Sequence, residues 1–129
     1  MAVTRLKRRA EFLRVAAARR KWAAPGLVLQ ALAGAAKDGT AAFRVGFTVS
    51  RKVGNAVARN RARRRLRAAA ELIMPHQAAA GYDYVLIGRQ ETLVRPFESL
   101  LKDLRVALKK VGALREAQPA NQPSGNTTP

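Results

Sequence analysis

Between Phe43 and Ser50 the chain alternates strictly. Phe43, Val45, Phe47 and Val49 are apolar, and Arg44, Gly46, Thr48 and Ser50 between them are small or polar. A period of two predicts a strand with one face in a core. The period then changes. Ala58, Ala62, Leu66, Ala69 and Ile73 recur every three or four residues, which places them on one narrow stripe of a helix that must face a core. The start of this helix is legible. Gly54 permits a tight turn, and Asn55 can cap by accepting a hydrogen bond from an early backbone N–H. A helix over about 56–73 is predicted, stopping before Pro75.

The remaining elements follow from the same patterning. Residues 1–8 are basic and read as loose. From Arg9 to Arg19 a helix is predicted, with Ala10, Leu13 and Ala17 on one face and Phe12, Val15 and Ala16 broadening it. The pattern breaks over 20–26 at Pro25-Gly26. Leu27 to Leu32 reads as a strand, and Lys37-Asp38-Gly39 as a turn signal. Residues 75–81 read as a loop. Tyr82 to Ile87 is apolar on both faces apart from Asp83, which predicts a central strand. Residues 88–95 read as a connection. Pro96 suits a first helical position. Phe97, Leu100, Leu101, Leu104, Leu108 and Val111 then form a helical stripe that Gly112 can close. The order helix, strand, strand, helix, strand, helix predicts an α+β domain, a small sheet packed by helices, over residues 1–116. Residues 117–129, with Pro119, Pro123 and Pro129 and almost nothing to bury, are expected to be a disordered tail.

Charge changes the picture. The chain has 129 residues, enough for one domain, with 25 Lys and Arg against 8 Asp and Glu, a net charge of +17 and a pI near 11.8. That balance favours nucleic acid as partner. The charge is concentrated: Arg51, Lys52, Arg59, Arg61, Arg63, Arg64, Arg65 and Arg67 fall between residues 51 and 67, with no acid among them. On a helix, Arg59, Arg63 and Arg67 line one flank of the apolar stripe and Arg61 and Arg65 the other. Arg64 and Asn60 point away from it. Like charges at i, i+4 spacing destabilise a helix by a few tenths of a kcal/mol per pair. Solvated helix faces usually mix signs, and this one does not, so a polyanion is the expected counter-charge.

Other chemistries have little to work with. Cysteine is absent, which excludes disulfides and thiol chemistry, and His76 is the one histidine. Placed after a helix end, His76 reads as a surface residue. A metal site needs several ligands. The acids Glu11, Asp38, Glu71, Asp83, Glu91, Glu98, Asp103 and Glu116 show no close pairing in sequence, and no histidine lies near Ser50 to activate it. The chain is a poor nuclease on its own, and no metal or cofactor site is expected in it. No apolar run approaches the roughly 20 residues that span a membrane. The Arg-rich start resembles a transit peptide except that the first serine is Ser50; a cytoplasmic protein is expected.

Lys52, Gly54, Asn55, Ala56, Val57, Arg59, Asn60, Arg61, Arg64 and Arg67 resemble the Arg-Asn-Arg signature of the bacterial ribonuclease P protein subunit family. Leu6-Lys7 and Phe12 before it, the RVGFTVS run, and the DYVLIGR run after it occur in that family's order, so the resemblance covers about residues 4–112. It implies an αβββαβα fold, with a short strand that the patterning does not place. It also implies a left-handed βαβ crossover around the basic helix, where general sterics favour a right-handed one. It implies that a separate RNA subunit, with Mg²⁺, hydrolyses precursor tRNA, and that the protein, a monomer when free of RNA, assists by binding that RNA and the 5′ leader. The expected RNA-binding residues are Arg51, Lys52, Asn55, Arg59, Asn60, Arg61, Arg63, Arg64, Arg65 and Arg67. The expected leader contacts are Phe12, Arg59, Asn60 and Arg63. Phe12 reads equally well as core packing. Ala16 stands where many family members carry a second aromatic, and Gln30 where an aromatic would help stack a base, which leaves less stacking surface. Two other readings compete. One is a ribosomal or assembly protein that binds RNA structurally. The other is a DNA-binding protein, disfavoured because arginines cover nearly every exposed face of the helix where a recognition helix presents one.

Overall fold

The computed structural model describes residues 3–33 and 43–112. The elements are β1 (Thr4–Arg5), α1 (Arg9–Ala17), β2 (Lys21–Ala23), β3 (Leu27–Leu32), β4 (Arg44–Val49), a 3-10 turn (Arg51–Val53), α2 (Ala56–Gln77), β5 (Asp83–Gly88), α3 (Gln90–Val94) and α4 (Phe97–Lys110). The strands form one sheet in the order β1-β4-β5-β3-β2. The apolar strand β5 is central, as its two apolar faces require. It pairs parallel with β4 and antiparallel with β3, with Val45 opposite Tyr84 and Leu29 opposite Leu86. The basic helix α2 is the crossover between the parallel neighbours β4 and β5.

Register divides the sheet into two faces. Tyr84 and Leu86 share one face with Val45 on β4 and Leu29 and Ala31 on β3. That face is covered by Ala62, Leu66, Ala69 and Ile73 of α2 and by Leu100, Leu104 and Leu108 of α4. Both helical stripes read from the sequence therefore meet on one side. Val85 lies on the other face and is covered by Val15 of α1 and by Leu6, with Phe12, Leu32 and Ile87 around them. The molecule is thus α1 on one side of the sheet, and α2 with α4 on the other.

Several expectations needed correction. Residues 1–8 contain β1, which adds to the β4 edge, with Thr4 opposite Arg44. The break over 20–26 contains β2, whose Lys21 pairs with Gln30; this is the short strand that the patterning did not place. Helix α2 runs through Pro75 to Gln77 instead of stopping before it. Proline's fixed φ is helical, and this one removes a single N–H in the last turn, where the backbone N–H of Ala78 still reaches the Met74 carbonyl. His76 accordingly lies in that last turn, exposed. The connection over 88–95 contains α3. Pro96 is the N-cap of α4, one position earlier than expected. The turn signal at Lys37-Asp38-Gly39 and the tail 117–129 lie outside the described residues.

Candidate nucleic-acid interface

The polypeptide leaves β4 and enters α2 through two successive caps. The Ser50 hydroxyl accepts from the backbone N–H of Lys52 at 3.3 Å and opens the 3-10 turn. Gly54 follows with φ of +153°, a conformation L side chains rarely adopt, and a Cβ there would approach that of Ala58 to 2.9 Å. Asn55 then caps α2: its Oδ1 accepts from the Ala58 N–H at 2.9 Å. Asn55 is therefore first a structural residue, and it is exposed. The caps hold Arg51 and Lys52, both exposed, beside the first turn of α2.

Leu66 and Ala62, fully buried, set the rotation of α2. Asn60, Arg61 and Arg64 are consequently exposed, and Arg59, Arg63, Arg65 and Arg67 half-buried along the two flanks. Two of these arginines are steadied by groups close to them in sequence. Arg59 donates to the Gly54 carbonyl at 3.0 Å, and Arg63 to Asn60 Oδ1 at 2.9 Å. Arg65 differs from the rest. Its guanidinium donates from Nη1 to the Leu93 carbonyl at 3.1 Å and from Nη2 to the Arg95 carbonyl, at the C-terminal end of α3. That is a tertiary clamp, and it turns the fork of Arg65 inward. Gln90 adds a second tie from α3, donating to the Lys52 carbonyl at 2.9 Å.

The carboxylates lie elsewhere. Arg44 binds Asp83 through Nε and Nη2 at 2.9 and 2.7 Å, and Glu11 through Nη1 at 2.8 Å. Arg95 binds Asp103 through Nε and Nη2 at 2.7 and 3.0 Å, and Asp103 also accepts from the Gly26 N–H. Glu11 receives backbone N–H groups from Arg8 and Lys7, which, with Arg44, hold its pKa down at about 2. Among the described residues, every salt bridge belongs to these groups or joins Arg14 to Asp83, and none reaches residues 51–67. Among the described residues, the arginine face of α2 meets no carboxylate in a salt bridge. Arg forks on a rigid helix suit phosphate oxygens.

The chain matches the Ribonuclease P family model over residues 2–112. It belongs to that family. It is 62% identical over 120 residues to the ribonuclease P protein component of Paramagnetospirillum magneticum, covering 92% of this chain and 90% of the relative. It is 54% identical over 108 residues to that of Gluconacetobacter diazotrophicus, covering 84% and 90%. Among solved structures, the Staphylococcus aureus RNase P protein superposes with a TM-score of 0.70 at 26% identity, covering 88% of this chain and 99% of that one. The Thermotoga maritima RNase P protein superposes at 0.64 and 26%, covering 78% and 90%.

Within this ribonuclease P fold, Phe12 lies on α1 and packs directly on Gly46. A Cβ on Gly46 would come within 2.5 Å of the Phe12 ring, so the glycine makes room for the aromatic. Phe12 is half-buried, serving as packing and offering a partly open ring at once. It sits on the α1 side of the sheet, whereas Arg59, Asn60 and Arg63 sit with α2 on the other. Thr48 and Ser50 follow Gly46 along β4 toward the start of α2. Basic residues not singled out from the sequence also gather near α1: Arg5, Lys7 and Arg8 line an open depression with Arg44 and Glu11. Their signal was the basic start of the chain, which had no periodicity to assign it a place.

Proposed function

We propose that this chain is the RNA-binding protein subunit of a bacterial ribonuclease P. It assists a catalytic RNA subunit in removing the 5′ leader from precursor tRNA by binding both RNAs. The observation that carries this reading is the arginine face of α2: rigidly capped, free of ion pairs among the described residues, and built on the Arg-Asn-Arg run within a chain of this family. Arg51, Lys52, Arg61, Arg64 and Arg67 bind phosphates of the RNA subunit, with Asn55 presenting its amide beside them. The reading as a structural ribosomal or assembly protein is not favoured, because the family match spans the whole domain.

The leader runs across Phe12 and onto Arg59, Asn60 and Arg63. From Gly46 to Ser50 is four residues of strand, about 13 Å, and a strand of RNA passing the end of β4 covers that distance. One partly open aromatic with a basic flank is a modest single-strand site. In this proposal Mg²⁺ belongs with the RNA subunit; among the described residues no group of three or more His, Cys, Asp or Glu side chains is arranged to hold a metal ion. The free protein is a cytoplasmic monomer. Among the described residues no helix is long and apolar enough to cross a membrane.

The test is reconstitution. Purified protein, freed of RNA, is combined with the RNA subunit, precursor tRNA and Mg²⁺ at moderate salt. The protein raises cleavage at the mature 5′ end above that of the RNA alone, and by itself cleaves nothing. Site-specific cleavage by protein alone, or no effect on the RNA subunit, overturns the proposal.

A further inference from the structure

The arginine face of α2 does not exhaust the positive charge. The edge strand β2, with Arg20 just before it, and the second half of α4 carry Lys21, Arg105, Lys109 and Lys110, and neither 20–23 nor 104–111 contains an acid. Trp22, the sole tryptophan of the chain, stands on β2 with 39% of its surface exposed. The Lys110 ammonium lies 5.3 Å from its ring centroid.

Part of this has an ordinary explanation. The Arg20 Nε donates to the Val111 carbonyl at the end of α4, and cations complement a helix C-terminus. A lysine on an edge strand deters pairing with another sheet. Neither effect accounts for a partly open indole set against an ammonium, or for a cluster of cations that no salt bridge among the described residues reaches. An aromatic ring among cations is the composition that holds single-stranded nucleic acid, by stacking and phosphate contact together.

We propose that the β2–α4 flank is a second RNA-binding surface, taking a phosphodiester strand with one unstacked base against Trp22. The proposal rests on the reading of this chain as an RNA-binding subunit and adds a second contact to it. The two surfaces are separate. Helix α2 packs on β4 and β5, whereas α4 packs on β3 and β2, and β2 is the outermost strand on that side. A subunit with both contacts bridges two segments of RNA. The strand comes from the RNA subunit or from the precursor, and the chemistry is the same in either case.

Trp22 reports on its own surface. The emission of the full-length protein is followed while the RNA subunit is added, and then while precursor tRNA is added to the assembled complex. Quenching in the first step assigns the surface to the RNA subunit, and quenching only in the second assigns it to the precursor. Trp22→Leu should weaken the corresponding affinity about five-fold or more, the low end for one base on an aromatic ring. Lys109→Ala with Lys110→Ala should make the salt dependence shallower by about one to two phosphate contacts. Thermal midpoints separate loss of contact from loss of fold; should a variant fold poorly, the emission of the unaltered protein decides. Unchanged emission in both steps, with a protein that binds RNA and stimulates cleavage, overturns this inference alone. A protein that binds neither RNA overturns the functional reading and this inference with it.

Discussion

Arg44 and Arg95 are chemically identical to Arg61 and Arg64, and they differ in what faces them. The first two meet buried carboxylates in bidentate geometry, Asp83 at 1% and Asp103 at 7% side-chain exposure. They join strand to strand and helix to loop. The second two lie exposed on α2 and, among the described residues, take part in no salt bridge. Among the described residues, the acids that pair, Glu11, Asp83 and Asp103, do so where arginine has a structural task, and none pairs with the α2 face. In a protein of net charge +17, the placement of these three acids says more about function than the number of bases. Arg65 stands between the two sets. It belongs to the signature helix by position and to the structural set by its bonds.

The largest expected effect breaks the structural set. Asp83→Ala leaves the Arg44 guanidinium, 31% exposed, without its bidentate partner in the sheet. The stability loss should be about 3 kcal/mol, the low end for breaking a buried pair because Arg44 keeps some contact with water. Denaturant titration measures it, and a loss well under 1 kcal/mol would erase the distinction drawn between the two sets.

Arg65→Ala sharpens the comparison from inside α2. Two backbone carbonyls lose a charged donor, and a loss of about 1–2 kcal/mol follows. The salt dependence of RNA binding should not change, since this fork faces α3. A shallower salt dependence with unchanged stability would return Arg65 to the RNA-binding set.

The smallest effect is in pH. Glu11 has a folded pKa of about 2 against an ordinary 4.5. Its contribution is present above pH 4.5 and is lost as the pH falls toward 2, because protonation then competes with the Lys7, Arg8 and Arg44 donors. Stability measured across that window should fall more gently in Glu11→Gln than in the unaltered protein. Parallel curves would mean that Glu11 is an ordinary solvated carboxylate.

Much of this fold was legible because its patterns are long. The alternation from Phe43 to Val49 and the stripe from Ala58 to Ile73 each repeat enough to declare a period. Asn55 caps α2 and Gly112, at φ of +75°, follows the end of α4, both as their residue types suggested. The elements that escaped are short and held from outside. Strands β1 and β2 have two and three residues, too few to alternate, and exist because β4 and β3 offer them edges. Helix α3 has five residues and is held by Arg65, by Thr92 donating to the Gly26 carbonyl, and by Gln90. The charged face of α2 was legible from its lack of acids. The role of Arg65 was not, because its acceptors are 28 and 30 residues away. Phe12 was legible as an aromatic beside small residues, and its seat on Gly46 needed the register of α1 over β4.

The central claim is that the unpaired arginines of α2 meet a polyanion. Binding of the RNA subunit is measured from low to moderate salt for the unaltered protein and for Arg61→Ala with Arg64→Ala. If about six basic side chains of 51–67 meet phosphates, log K against log salt should slope by roughly −4 to −5.5, and the double variant should be shallower by about 1.5–2, with its thermal midpoint unchanged. A slope near −1 in the unaltered protein, or a double variant that unfolds while binding as before, would contradict it.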